Sequence, residues 1–399
     1  MERRPLVIIG SGPAGSASAL FLHAQDPALA REAVILEKAH HPRPKVCGGG
    51  LIPQVLRCLE ELGVPLSVPN VVVHRAAVEV PGRTVTYGGE ELCRVVRRDE
   101  FDHSLVTACR QRGVEVREGE KVVDLTREAD SIRIETEGGI YYADAVIGAD
   151  GSGSLVRRRL FPHAPECIGK AVMCDVPLAQ ADWNGFQAAR YEFNFRSVPD
   201  GLRGYAWAFP CLIGGVPHVN LGVYSVDAAG SGPVLHRILR EELTRVGAPA
   251  LPVKAFPVRW YTRRAPLAAP RVMLVGDAAG VDPLMGEGIS FCFEYGRRAA
   301  AAIARGFATS DFTFADYARS VDGSWVGRKL RRLGLGVRLF YGPTWPLWFA
   351  IAAGSRTAQE IGIRWYNGVD GWDQRSGWEA LRAWWRGDIR PALGRQSGI

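Results

Sequence analysis

The 399-residue sequence contains no Cys-x-x-Cys pair; its eight cysteines stand apart at 47, 58, 93, 109, 167, 174, 211 and 292. Neither a metal site nor a dense disulfide framework is signalled, and a reducing, cytoplasmic setting fits this usage. Long apolar runs are missing too. Arg3-Arg4 followed by Pro5 to Leu22 has the outline of a leader or anchor, but only Leu6 to Ile9 is a run of bulky aliphatics, and Gly10, Gly12, Pro13 and Gly15 interrupt the rest. A spanning helix needs about 20 apolar residues. Charge of one sign is in small excess: 49 Lys and Arg against 42 Asp and Glu give +7. Without a concentrated basic stripe this speaks against nucleic acid and leaves anionic small molecules or an acidic membrane face as partners. With 47% hydrophobic and 23% charged residues, the chain is an ordinary globular one of two or three domains at roughly 150 residues each.

What is present begins with a βαβ unit. Leu6 to Ile9 predicts a buried parallel strand, Ser16 to His23 a small-residue helix and Ala33 to Leu36 a second strand. Gly10-Ser-Gly12-Pro13-Ala14-Gly15 lies between the first two, and Glu37 follows 22 residues after the last glycine. This is a dinucleotide fingerprint in its required context. The glycines permit a tight turn and close approach of a pyrophosphate to a helix N-terminus, and the acid accepts ribose hydroxyls.

Strand-like stretches follow at Val114 to Val116 and Lys121 to Leu125, a hairpin around Gly138-Gly139, and a buried strand at Ala145 to Ile147. From about 167 to 260 the pattern changes to Tyr191 to Phe195, Tyr205 to Phe209 and Val219 to Tyr224, separated by Pro and Gly. Arg271 to Val275 then predicts one more apolar strand and Ile289 to Ala304 a helix. The expected organisation is a discontinuous nucleotide domain (1–75, 95–166 and 261–320), a β domain (76–94 and 167–260) and a helical cap (321–399). Eight of the eleven tryptophans fall in that cap, which implies a large apolar surface beneath it. Arg328 to Arg332 with Leu333 to Phe340 predicts a basic amphipathic helix, and Trp345 to Ala353 is apolar but too short to span a bilayer.

Two further motifs identify the nucleotide by resemblance. Gly148-Ala-Asp150-Gly151-Ser152 with Arg157, and Gly276-Asp277-Ala-Ala-Gly280 running on to Pro283-Leu-Met-Gly286-Glu-Gly288-Ile289, resemble the aspartate–glycine signatures of glutathione-reductase-type flavoproteins related to aromatic hydroxylases. The cofactor implied is FAD. Asp277 at a strand end suits ribityl hydroxyls, and Gly286 and Gly288 at a helix start suit the electron-rich pyrimidine edge. The competing reading is an acidic helix cap and turn glycines.

Arg43-Pro-Lys45-Val-Cys47-Gly48-Gly49-Gly50, Arg98-Asp-Glu-Phe101-Asp102 and Tyr205-Ala-Trp207-Ala-Phe209-Pro210 are similar to stretches of the geranylgeranyl reductase family. The fold implied is α/β: a Rossmann-type FAD-binding domain of glutathione-reductase type, discontinuous, with an antiparallel β-sheet substrate domain and a helical C-terminal region. The FAD-binding residues implied are Gly10, Gly12, Pro13, Ala14, Gly15, Glu37, Lys38, Lys45, Cys47, Gly48, Gly49, Arg98, Val122, Asp150, Gly151, Gly276, Asp277, Pro283, Gly286, Gly288 and Ile289, with Arg98 on the phosphates. Tyr205, Trp207 and Phe209 alternate along one strand face and would wall an apolar prenyl cavity or simply pack in the core. The family's later Gly-x-Gly stands here as Gly222-Val-Tyr224. Cys47 is read three ways: a functional thiol beside the flavin and candidate proton donor, a packed small hydrophobe, or a covalent flavin link. His40-His41 reads as solvated loop.

The activity implied is saturation of carbon–carbon double bonds in a polyprenyl or related lipidic substrate by hydride transfer from flavin N5; the alternative is an FAD-dependent monooxygenase or halogenase acting on an aromatic natural product. A second glycine fingerprint is absent, so reducing equivalents would come from transient NAD(P)H or a separate electron-carrier partner. The cap is read two compatible ways: peripheral contact with the inner face of the cell membrane, or a packed cover over the substrate cavity.

Overall fold

A computed structural model describes residues 1–368 and 377–389. Two sheets organise it. In the first, strands run in the order Ala268–Ala269, Val272–Leu274, Ile140–Gly148, Glu2–Ile9, Val34–Glu37 and Glu115–Glu118, parallel except for the outermost Ala268–Ala269 pair. Leu6, Val7 and Ile8 are wholly buried, as a central parallel strand covered on both faces requires. The hairpin Val122–Arg127 and Ile132–Thr136 is appended to Ile140–Gly148. Helices Pro13–Gln25 and Ile289–Thr309 pack against each other in this half. Gly296 makes that possible, because a Cβ there would stand 2.8 Å from the Ser18 nitrogen.

The second sheet runs Lys254–Arg259, Ile168–Pro177, Val216–Ser225, Gly204–Ile213, Arg190–Asn194, Asn70–Val80, Arg83–Val96 and Gly50–Leu51. It is not purely antiparallel, since Arg190–Asn194 pairs in parallel with Asn70–Val80. Several expected boundaries also shift: 75/76 and 94/95 fall inside strands that begin at Asn70 and end at Val96, and Gly50–Leu51 pairs in the second sheet.

The C-terminal helices Trp325–Phe340, Trp345–Gly354 and Arg356–Asn367 fold back over the junction. Phe349 packs 5.6 Å, ring centre to ring centre, from Phe195, and Phe195 in turn from Tyr205. The aromatic surplus thus roofs the second sheet. Residues 369–376 and 390–399 of the expected cap, with Trp372 among them, lie outside the described residues.

Candidate active site

In the fingerprint turn Gly10 and Gly15 are sterically obligatory. Gly10 has φ +100°, and a Cβ on it would stand 2.5 Å from the Ala149 carbonyl oxygen. One on Gly15 would stand 1.9 Å from the Gly10 oxygen. Gly12 meets only an Arg43 nitrogen, at 3.5 Å, and as N-cap of Pro13–Gln25 it offers no side-chain cap. Bare N–H groups and a guanidinium therefore face the cleft, the arrangement a pyrophosphate needs. Glu37 is buried; its Oε2 accepts from the Ser11 N–H (3.0 Å) and hydroxyl (2.8 Å), and its Oε1 from the Ala39 N–H (3.1 Å). Burial pushes this carboxyl up, but Arg43 and those donors outweigh it and hold the group below its usual value. An ionised carboxylate with free lone pairs is what ribose hydroxyls require.

Sequence reasoning missed two residues here. His41 is no solvated loop residue: its Nε2 lies 2.7 Å from the Ser11 hydroxyl, and burial pulls its pKa down. Arg43 sits 3.6 Å from Glu37 and 3.7 Å from Asp102. Its place in the same loop as Cys47 was the available signal. Arg98 has its Nε and Nη2 engaged with Asp102 at 2.8 and 3.0 Å, and it lies beside the Cys47 sulfur. Arg43, beside Gly12, is therefore the better placed cation for a phosphate.

The glycine end of the cysteine loop threads close to Val96 and Phe209 because Gly48 and Gly49 carry no side chains. Gly49 has φ +77°, and a Cβ there would stand 2.0 Å from the Val96 oxygen; one on Gly48 would meet the Phe209 ring at 3.1 Å. The Cys47 sulfur accepts from the Gly49 N–H at 3.3 Å. Lys45 lies with Nζ 3.0 Å from the Phe256 ring centre, and burial draws its pKa down to about 8 against the pull of Asp277.

Asp277 accepts from the Ser152 hydroxyl at 3.0 Å and lines the cavity with Gly286, Gly288 and Ile289. Asp150 borders it too; its Oδ2 takes the N–H groups of Leu155 (2.6 Å) and Val156 (3.1 Å) at the start of Leu155–Leu160, whose N-cap is Ser154, and among the described residues its Oδ1 has no hydrogen-bond partner. Three expected cofactor contacts stand behind the wall: Gly15 against Gly10, Gly276 against Ala14 and Cys292, and Pro283 beneath Tyr224. The remaining expected positions, Lys38, Val122 and Gly151 included, border the cavity.

The loop that presents Gly286 is held by four tyrosine hydroxyls from three regions of the chain. Tyr366 donates to the Asp282 carboxyl (3.3 Å), Tyr224 to the Pro283 carbonyl (3.1 Å), Tyr341 to that of Leu284 (2.8 Å) and Tyr205 to that of Met285 (2.6 Å). Asp282 is fully buried, and that burial pushes its carboxyl up to about 7. A carboxyl raised in the folded state contributes stability below its unfolded pKa, near 4, and loses it as pH rises toward 7. In melts of Asp282→Asn against the parent, the variant's relative stability should therefore climb from pH 4 to 7 and level off above; a flat difference would contradict a protonated Asp282.

Beyond the cysteine loop lies an aromatic compartment. Tyr205, Trp207 and Phe209 share one face of Gly204–Ile213 and all line the cavity, with Tyr191, Phe193 and Tyr224. Trp207 Nε1 donates to Asn220 Oδ1 (2.7 Å), Asn220 donates to Asp175 (2.7 Å), and Arg97 pairs with Asp175 (2.9 Å). Gly222 faces Trp207 across the strands; a Cβ there would stand 2.0 Å from the indole. The first family glycine is thus kept as room for Trp207, while Tyr224 occupies the place of the second. Cleft and compartment form one cavity of about 900 Å3.

Fold, glycine cradle and the buried, ionised Glu37 at the end of the second strand together define an FAD-dependent oxidoreductase of glutathione-reductase type. A family model for the FAD binding domain matches residues 3–202. The chain is 30% identical over 395 residues to a menaquinone reductase of Mycolicibacterium smegmatis, covering 91% of each protein. It is 29% identical over 342 residues to the chloroplastic geranylgeranyl diphosphate reductase of Oryza sativa, covering 77% of this chain and 68% of that one. A geranylgeranyl bacteriochlorophyll reductase-like structure from Thermoplasma acidophilum superposes with TM-score 0.75 at 20% identity, covering 100% of both chains, a likeness of fold. The chain belongs to the geranylgeranyl reductase family of FAD-dependent oxidoreductases.

Proposed function

We propose that this enzyme saturates carbon–carbon double bonds of a polyprenyl chain. The observation that carries the reading is the aromatic, largely apolar compartment continuous with the FAD cleft, with only the cysteine–glycine loop between them. An isolated alkene offers no charge to grip, so catalysis must come from holding it dry and in register. Bound reduced FAD supplies the hydride. Tyr205, Trp207, Phe209 and Tyr224 hold the chain and exclude water, while Cys47 Sγ, kept in place by the Gly49 N–H, holds the proton for the second alkene carbon. The names of the rice and mycobacterial relatives agree with a prenyl or quinone substrate.

The test is anaerobic single turnover of the chemically reduced protein with geranylgeranyl acceptors. Flavin reoxidation with gain of two hydrogens per double bond is expected. Reoxidation that requires oxygen and consumes it in step with substrate would overturn the reading in favour of a monooxygenase. Cys47→Ser should keep FAD and slow this turnover by about tenfold or more; an unchanged rate removes Cys47 from the mechanism.

A transient NAD(P)H or a separate carrier protein would reduce the flavin. Among the described residues no helix is long and apolar enough to cross a membrane. Leu335 and Leu347 are 53% and 58% exposed beside exposed Arg328 and Arg338, which suits peripheral contact with an anionic bilayer. Flotation with anionic but not neutral vesicles is expected, and no flotation with either would reject the contact.

A further inference from the structure

The indole of Trp207 is held against the loop that divides cleft from compartment. A Cβ on Gly48, the residue after Cys47, would stand 3.4 Å from its nitrogen, and one on Gly222 2.0 Å from its six-membered ring. An indole has one N–H donor and nothing else to offer, so its angle depends on where that N–H finds an oxygen. It finds Asn220 Oδ1, at 2.7 Å. Asn220 is 1% exposed, and its amide could equally turn over and present its nitrogen. Two donors would then face each other, and the indole would have to swing away from the loop.

What fixes the amide lies one strand further. Asp175, on Ile168–Pro177, stands directly across from Asn220 on Val216–Ser225 and accepts from Asn220 Nδ2 at 2.7 Å. Met173 Sδ, a weak acceptor, lies 3.6 Å from the same nitrogen. Arg97 Nη1 donates to Asp175 Oδ1 at 2.9 Å, and Lys254 Nζ is 3.7 Å from Oδ2. Answered by two cations, the carboxylate only accepts, which leaves the Asn220 amide one orientation: nitrogen toward Asp175, oxygen toward the indole. Neither Asp175 nor Asn220 borders the cavity, so contact with a bound chain explains neither. Arg97 is also the N-cap of Arg98–Gln111, and Arg98 lies beside the Cys47 sulfur. One short stretch of chain therefore anchors both the neighbour of the thiol and the acid behind the indole.

Resting on the reading above that the compartment holds the chain being reduced, we propose that Asp175 is a positioning residue: through Asn220 it fixes the plane of Trp207, and so the place of the reacting double bond against the loop of residues 47–49. It touches neither substrate nor cofactor. Its contribution is a single choice, which end of a buried amide faces the wall.

The test uses the FAD-loaded protein with geranylgeraniol as probe. Three quantities are read: flavin content, single-turnover reoxidation with gain of two hydrogens by mass spectrometry, and the indole proton of Trp207 by NMR of isotope-labelled tryptophan, identified by its absence in Trp207→Phe. In the parent that proton should exchange slowly with solvent. Asp175→Asn keeps the size of the side chain but can accept or donate, so the indole proton should shift and exchange faster while FAD stays bound. The single-turnover rate should fall about tenfold with the half-saturating probe concentration little changed. In a Trp207→Phe background there is no N–H to place, and Asp175→Asn should slow turnover no further; a merely structural acid would slow both backgrounds alike. Exchanging the pair, Asp175→Asn with Asn220→Asp, puts an acceptor-only group opposite the indole again and should recover most of the rate. An unmoved indole proton in Asp175→Asn, equal slowing in both backgrounds, or an FAD-loaded exchange variant as slow as the single one overturns the proposal. Asp175→Ala, which also frees the amide, takes the place of Asp175→Asn if the latter does not fold, and a Trp207 proton that exchanges at once in the parent overturns the proposal without any variant. Reduction of geranylgeraniol at a rate that ignores Asp175 leaves the reductase reading standing and the positioning role refuted. An indole proton that answers to Asp175 in a protein that reduces no double bond does the reverse.

Discussion

Gly222→Val should leave FAD bound and lower alkene reduction by about two orders of magnitude. The Cβ alone would stand 2.0 Å from the Trp207 indole, and the ring is a rigid plane pinned by its N–H to Asn220. It must leave its rotamer, which unpairs Asn220 and Asp175 behind it and moves the compartment wall by an ångström or more. A misplacement of that size costs about 10²-fold where catalysis depends on orientation. Flavin content and single-turnover rate measured on one preparation decide the point. Gly222→Ala combined with Trp207→Phe should recover part of the loss, since the smaller ring frees the space. A Gly222→Val protein that reduces its substrate at the parent rate would show that Trp207 does not wall the reacting chain.

Replacing Glu37 by Ala should cost more on the cofactor side. The carboxylate serves the Ser11 N–H and hydroxyl and the Ala39 N–H and lies against Arg43, and it would accept the ribose hydroxyls of FAD. Two charge-assisted hydrogen bonds at roughly 1.5–3 kcal/mol each correspond to at least about 100-fold in affinity. The variant should purify largely colourless and regain its absorbance only with FAD in large excess. Glu37→Gln keeps shape and one acceptor, so it should lie between the two. A fully yellow Glu37→Ala protein would overturn the assignment.

The nucleotide half was legible because its signals are local. Gly10, Gly12 and Gly15 are spaced by the turn they build, Leu6 to Ile9 is apolar because both faces of a parallel strand are covered, and Glu37 ends the next strand at a fixed distance. The face of Tyr205, Trp207 and Phe209 was equally legible, since strand alternation is itself the signal. Neighbouring details escaped. His41 looks like loop and is bonded to Ser11; Arg98 looks free and is engaged by its own helix neighbour Asp102. In each case a side chain with several possible partners took the one that folding brought nearest.

The sequence by itself therefore determined the cofactor class, the cysteine loop and the aromatic strand, because glycine sterics and periodic burial act between residues a few positions apart. Only the tertiary structure decided what surrounds the aromatic compartment: Tyr205, Tyr224, Tyr341 and Tyr366 converging on Asp282 to Met285, and Tyr224 in place of a family glycine. Those contacts join residues as far as 80 or 84 positions apart. Each is a single hydrogen bond of modest net strength, and its partner is chosen by how sheets and helices pack.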